Sequence, residues 1–141
     1  MKALVAIDGS ENSLRALRYV LDHADFFSAN PELVLVTVHL PLPSQRAKAV
    51  LGKDAVEQYY KDESEEVLAP ARALLAGKPC RVTELSMVGQ PAAQIVAAAQ
   101  QHHCDLIVMG TQSRSALGNF LVGSVATRVI SESPIPVLSV K

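Results

Sequence analysis

Five short apolar runs recur along this chain, each parted from the next by a stretch with helical spacing, and no other feature restricts its fold so strongly. Residues 2–8 are rich in Val, Ile and Leu and stop at Asp8-Gly9-Ser10; residues 33–40 form a second β-branched run closed by Pro41 and Pro43. Runs apolar throughout, rather than alternating, predict strands buried on both faces. Cys80 to Val88 alternates imperfectly, with Cys80 and Val82 on one phase and Leu85 and Met87 on the other, which predicts a third strand at a sheet edge. The fourth run ends on Gly110, and residues 135–140 make the fifth.

The intervening segments read as helices. Ser10 is an N-cap with Glu11 in the first turn, and Leu14, Leu17, Leu21 and Ala24 carry the spacing to about residue 28. Residues 44–76 begin polar to about Lys53; Val56, Tyr60 and Val67 then fall in helical register, and Pro70 predicts a kink or restart. Gly89-Gln90-Pro91 is a strand-to-helix turn with proline at the first helical position, followed by a buried stripe of Ala92, Ile95, Val96 and Ala99. A last helix runs from Ser124 to about Ser133, with Val125 and Val129 on one face. Strands alternating with helices imply an α/β fold: a parallel sheet wound right-handedly with helices on both faces.

A chain of 141 residues with 49% hydrophobic composition suits one domain, residues 1–141. Thirteen basic against fourteen acidic side chains leave a net charge of −1, which offers no footprint for nucleic acid or an anionic membrane. No signal pattern follows Met1-Lys2 and no apolar run approaches the roughly 20 residues that span a bilayer, so a cytoplasmic location is expected. Cys80 and Cys104 belong to no metal-spaced or Cys-x-x-Cys set and read as buried, reduced thiols. The acidic run Asp62 to Glu66 reads as a solvated helix face. His102 and His103, being adjacent, share no helix face and suit a C-terminus; His23 and His39 show no partner in the sequence and read as structural.

Chemistry concentrates in Asp105 to Arg114 and its continuation through Gly118 to Gly123-Ser124-Val125. A strand ends on Gly110, a polar loop follows, and Gly123 with Ser124 opens a helix. Free amides at a helix start, backed by the helix dipole, suit a phosphate, and glycines allow close approach. Gly110 and Gly123 could equally end a strand and begin a helix, Asp8 could cap the first helix, and Arg114 could be solvated charge. Neither Gly-x-x-x-x-Gly-Lys-[Ser/Thr] nor Gly-x-Gly-x-x-Gly occurs, so the P-loop and dinucleotide motifs are missing. The clustered carboxylates of a receiver domain are missing too, since Asp8 stands alone.

This stretch resembles the nucleotide-binding members of the universal stress protein family, which carry Gly, two residues, Gly, nine residues, Gly and then Ser or Thr after an apolar strand. Gly110, the spacer Arg114 to Val122, and Gly123-Ser124 fall in register; Ser113 replaces the second glycine, and Gln112 stands where the family often has histidine. The likeness covers the chain from Leu4–Ser10 to Pro134–Val140. It implies a doubly wound, five-stranded sheet of order 3-2-1-4-5, whose winding reverses between strands one and four. Asp8 and Gly110 would then meet at one crevice, where ligands of such sheets bind.

By position, the resemblance implies ATP with Mg²⁺. Val38 would give backbone hydrogen bonds to adenine, with Ala6, Ile7 and Gly9 beside the base or sugar and Gly89 closing the adenine side. Asp8 would lie near the sugar or the metal. Met109, Gly110, Gln112, Ser113, Arg114, Gly123, Ser124 and Val125 would surround the rest of the nucleotide, chiefly its phosphates. A Cβ at Ser113 would restrict the loop, although its hydroxyl can itself donate to a phosphate oxygen. The implied function is an ATP-binding regulatory protein of a stress response, a homodimer whose nucleotide state an unknown protein partner reads. The alternatives are a family member without nucleotide binding that serves as an interaction module, and a slow ATPase with no general base visible beside Asp8. The dimer is expected through residues 135–140, an uncharged strand at an open sheet edge, with Pro136, which lacks an N–H, shifting the pairing to Val137–Val140.

Overall fold

A computed structural model describes residues 1–42, 49–111 and 122–141. Its elements are β1 (Lys2–Ala6), α1 (Glu11–Asp22), α2 (Ala24–Phe27), β2 (Glu32–His39), α3 (Lys53–Leu75), β3 (Arg81–Val88), α4 (Pro91–Gln101), β4 (Leu106–Gly110), α5 (Ser124–Glu132) and β5 (Val137–Val140). All five strands are parallel, in the order β3-β2-β1-β4-β5. The expected fold is therefore the observed one, with β3 at an edge and the winding reversing between β1 and β4.

Period-two alternation sorts the apolar strand residues between two cores. Ala3, Val5, Ile7, Leu33, Leu35 and Val108 pack with Leu14, Leu17 and Val20 of α1 and Leu68 and Ala71 of α3. Leu4, Val34, Val36, Ile107 and Met109 pack on the opposite face with Ala92, Ile95 and Ala99 of α4 and Ala126 and Val129 of α5. Such two-sided burial is why β1, β2 and β4 read as continuous apolar runs.

Several local expectations hold. Ser10 caps α1, its hydroxyl oxygen accepting the Ser13 N–H at 3.2 Å. Pro91 occupies the first turn of α4. His102 is the C-cap of that helix and His103 follows at φ 52°, the left-handed position that ends many helices.

Two expectations fail. Helix α1 stops at Asp22 rather than running unbroken to near residue 28: His23 is its C-cap, with its ring Nδ1 2.8 Å from the Tyr19 carbonyl, and the short α2 resumes at Ala24. Helix α3 does not restart at Pro70, which lies inside its Lys53–Leu75 span. Pro70 and Glu66 are both exposed, so water can reach the Glu66 carbonyl that the proline leaves without its usual donor.

Helix α3 is tied to β3 by Arg72. Its guanidinium donates to both carboxylate oxygens of Glu84, at 2.8 and 2.6 Å, and reaches Glu65 at 2.5 Å. These hydrogen bonds hold the carboxyls of Glu84 and Glu65 below the usual range, against the opposing effect of burial. A depressed folded pKa contributes stability that is present above the unfolded value, about 4.3 for glutamate, and is lost as pH falls through the folded value. Arg72→Met should therefore lower the urea midpoint at neutral pH, and the gap from the parent chain should narrow as the pH is taken down below the unfolded glutamate value. A gap independent of pH would assign the loss to packing instead.

Candidate functional site

Unequal strand lengths create a recess above the sheet. In register, Ala6 sits opposite Val36 and Val5 opposite Val108, so β1 ends while β2 continues to His39 and β4 to Gly110. The Ile7 N–H still donates to the Val36 carbonyl at 2.8 Å. Two residues on, Val38 turns its own N–H and C=O to that same side of β2, where the neighbouring strand has stopped.

The recess encloses about 120 Å³, below the roughly 300–1,000 Å³ of a typical whole-ligand pocket. It can sheath one flat group, leaving the rest of a larger ligand on its rim. Eight residues expected at the site line it: Ala6, Ile7, Asp8, Val38, Met109, Gly110, Gly123 and Val125. Gly9, Gly89 and Ser124 lie just outside the lining, and Gln112, Ser113 and Arg114 fall outside the described residues. Ser13, Val36, Pro91, Ile95, Thr111 and Ala126 complete the wall and were not expected. Ile95 and Ala126 belong to helix stripes that sequence periodicity marks only as core, so no separate signal distinguishes them. Thr111 follows Gly110 directly and was within reach of the motif.

Asp8 stands exposed at the mouth. Its Oδ1 accepts the Ser10 N–H at 2.9 Å and the Ser10 hydroxyl at 2.5 Å, and its own N–H lies 3.4 Å from Ser13 Oγ. Gly9 between them adopts φ 80°, a conformation that L side chains rarely take. Asp8 therefore organises the turn into α1 and also faces the cleft. Among the described residues no group of three His, Cys, Asp or Glu side chains could hold a metal. The donor set thus fits Mg²⁺ only as an ion that keeps most of its waters and takes one carboxylate, the manner in which phosphate-borne magnesium is held.

The two glycines play different parts. A Cβ at Gly110 would lie 2.7 Å from the carbonyl carbon and oxygen of Asn12 and 3.0 Å from its Cβ. Glycine is needed there for the first turn of α1 to close on the end of β4. At Gly123, the N–H donates to the Thr111 carbonyl at 2.6 Å and the C=O accepts the Thr127 N–H and hydroxyl, at 3.0 and 3.1 Å. That N–H is already engaged. The amides with no acceptor inside α5 are those of Ser124, Val125 and Ala126, in its first turn beside the recess.

Burial raises the thiols of Cys80 and Cys104 above the usual range, and both cysteines are free and remote from this lining.

A doubly wound parallel sheet with an apolar recess at its switch point places the chain in the open-sheet α/β class. Comparison with known proteins identifies the lineage. The profile of the universal stress protein family matches residues 1–141, and the chain belongs to that family. A universal stress protein of Thermus aquaticus is 36% identical over 141 residues, covering 98% of this chain and 96% of its own. The solved structure of MJ0577, a universal stress protein of Methanocaldococcus jannaschii, superposes with a TM-score of 0.80 at 29% identity, covering 99% of this chain and 94% of that one. A universal stress protein solved in complex with cAMP matches at a TM-score of 0.61 and 25% identity, covering 99% of this chain and 95% of that one.

The close approach at Gly110 yields a prediction. Gly110→Ala should destabilise the chain by about 1–3 kcal/mol, the usual penalty for overpacking against backbone. It should appear as a lower urea midpoint at unchanged slope. A midpoint equal to that of the parent would show that α1 can shift away without loss.

Proposed function

We propose that the recess binds an adenine nucleotide, ATP carried with Mg²⁺, in a cytoplasmic regulatory protein of the stress response. The observation that carries the proposal is the stagger of the strand ends. It turns the backbone N–H and C=O of Val38 toward an apolar slot that the first turn of α5 also borders. A purine edge offers an acceptor and a donor to match Val38 and a flat face for Ile95, Met109 and Ala126. The enclosed volume suits the base alone, with sugar and phosphates on the rim. The cAMP complex of a relative supports this use of the fold.

In this reading Asp8 takes the sugar or the metal, and the amides of Ser124 and Val125 take phosphate oxygens, joined by Ser113 and Arg114 from the loop. Mg²⁺ neutralises phosphate charge when bound. Nucleotide state sets the conformation that a protein partner reads.

Ligand that binds only the folded chain must stabilise it, by about 2.7 kcal/mol at a hundredfold excess over Kd. ATP with Mg²⁺ should therefore raise the unfolding midpoint, and mass spectrometry should find an adenine nucleotide released from the purified chain. No shift with millimolar ATP, ADP, AMP or cAMP would contradict the proposal and leave the interaction-module reading in its place.

The proposal includes a homodimer through residues 135–140. Strand β5 is an edge of the sheet, and such an edge invites a second strand. The Ile107 N–H donates to the Pro136 carbonyl and the Thr111 N–H to the Val140 carbonyl, both at 2.9 Å. Pro136, Leu138 and Val140 therefore turn their backbone groups to β4, and Val137 and Ser139 turn theirs outward. This corrects the expectation for Pro136, whose missing N–H falls on the β4 side and leaves the outer edge its donors. Antiparallel pairing about a two-fold axis would close both edges. Light scattering should give about twice the 15.1 kDa chain mass, and Ser139→Pro, which removes an outward N–H only, should give monomer. A dimer unaffected by Ser139→Pro would contradict strand pairing.

A further inference from the structure

A buried polar cluster adjoins the recess and takes no part in the function proposed above. His39, the last residue of β2, is only 6% exposed. Its Nε2 lies 2.7 Å from Ser64 Oγ and its Nδ1 3.3 Å from Glu63 Oε2, so both ring nitrogens are engaged by α3. Ser64 Oγ also lies 2.7 Å from the Tyr60 carbonyl and 2.5 Å from Ser86 Oγ of β3. The Tyr60 hydroxyl accepts the Leu42 N–H at 3.0 Å, just beyond the strand. The Glu63 carboxylate also reaches Tyr59, holding its hydroxyl above the usual range.

Acid, imidazole and hydroxyl stand here in the order of a hydrolase triad, but the surroundings do not suit catalysis. Ser64 is 6% exposed and lies inside α3, where the neighbouring amides are committed to helix bonds and cannot hold an oxyanion. Proton accounting fits a tie instead. A carboxylate only accepts, so Nδ1 carries the ring hydrogen toward Glu63, and Nε2, left as an acceptor, takes the single hydrogen of the Ser64 hydroxyl. In that arrangement the ring is held at both nitrogens.

The position of the tie matters because of what lies beside it. Past Val36, β2 has lost β1 as a neighbour, and its end is tied through hydrogen bonds to β3 and to α3. The first tie includes the Gly89 N–H on the His39 carbonyl at 2.9 Å; the second runs through the imidazole. Val38, whose backbone groups face the recess, is the residue next to His39.

Resting on the nucleotide reading, we propose that His39 is a positioning residue for the base: its imidazole, fixed by Glu63 and Ser64, holds the end of β2 so that Val38 presents a preformed hydrogen-bonding edge to adenine. Preorganisation of this kind lowers the ordering cost of binding. It acts on the base and leaves phosphate capture at α5 untouched.

The test compares calorimetric affinities for adenosine and for inorganic tripolyphosphate. His39→Leu removes both ring contacts, whereas His39→Gln keeps an amide where Nε2 sits and can still bond Ser64. The expected result is a loss of about tenfold for adenosine in His39→Leu, roughly 1.4 kcal/mol, with tripolyphosphate affinity unchanged and adenosine affinity largely restored in His39→Gln. Should His39→Leu not fold, Ser64→Ala removes only the Nε2 partner and should give a smaller loss of the same selectivity. Equal losses for the two ligands, or no rescue by Gln, would make His39 merely structural and overturn the proposal. Adenosine affinity unchanged in His39→Leu would overturn it as well. Failure of the nucleotide reading looks different: the unmodified chain would then bind no adenosine at all.

Discussion

Gly110 leaves no room for a side chain, and the arrangement of the candidate site follows from that contact. With Asn12 backbone 2.7 Å from where a Cβ would stand, the first turn of α1 is drawn onto the end of β4 across the point where the sheet reverses its winding. That closure brings the Asp8-Gly9-Ser10 turn beside β4 and sets Asp8 at the mouth of the recess, although about a hundred residues of chain separate it from Gly110. The glycine that a motif would assign to a phosphate is required first by packing.

A second constraint is the backbone left over where strands end. A parallel sheet satisfies its N–H and C=O groups only while neighbours run alongside, and here β1 stops before β2 and β4. The groups freed at Val38 turn toward an apolar slot that the first turn of α5 also borders. Binding specificity in this account comes largely from main chain. Side chains shape the slot and steady its walls, as His39 does from the rear of β2.

Much of the fold was legible because its signals are local. The all-apolar runs gave the central strands, the weak alternation at Cys80 to Val88 gave the edge, and Ser10 and Pro91 marked helix starts through capping and φ preference. Half of the recess was legible through the resemblance and the meeting of Asp8 with Gly110. What escaped depends on partners distant in sequence or on competition between neighbours. The stop after Asp22 falls at His23, whose imidazole lies on the Tyr19 carbonyl, a contact that helical periodicity does not register. A restart at Pro70 was expected because the proline's exposure, which lets water serve the orphaned carbonyl, is a tertiary fact. His39 looked partnerless because Glu63 and Ser64 lie more than twenty residues away, and which edge Pro136 disarms depends on strand parity against β4. Ile95 and Ala126 carry only the signature of core, and a residue can line a site and a core with the same side chain.

The central claim is that Val38 offers its main chain to a purine in the recess between β1 and β4. Amide NMR of the isotope-labelled chain tests it most directly, by titrating first adenosine and then ATP with Mg²⁺. The account predicts that adenosine moves the amides of Val38 and Ile7, and that Ser124 and Val125 respond only when phosphates are present. A spectrum in which Val38 stays fixed while ligand perturbs residues away from the recess, such as Val82 on β3, would contradict it.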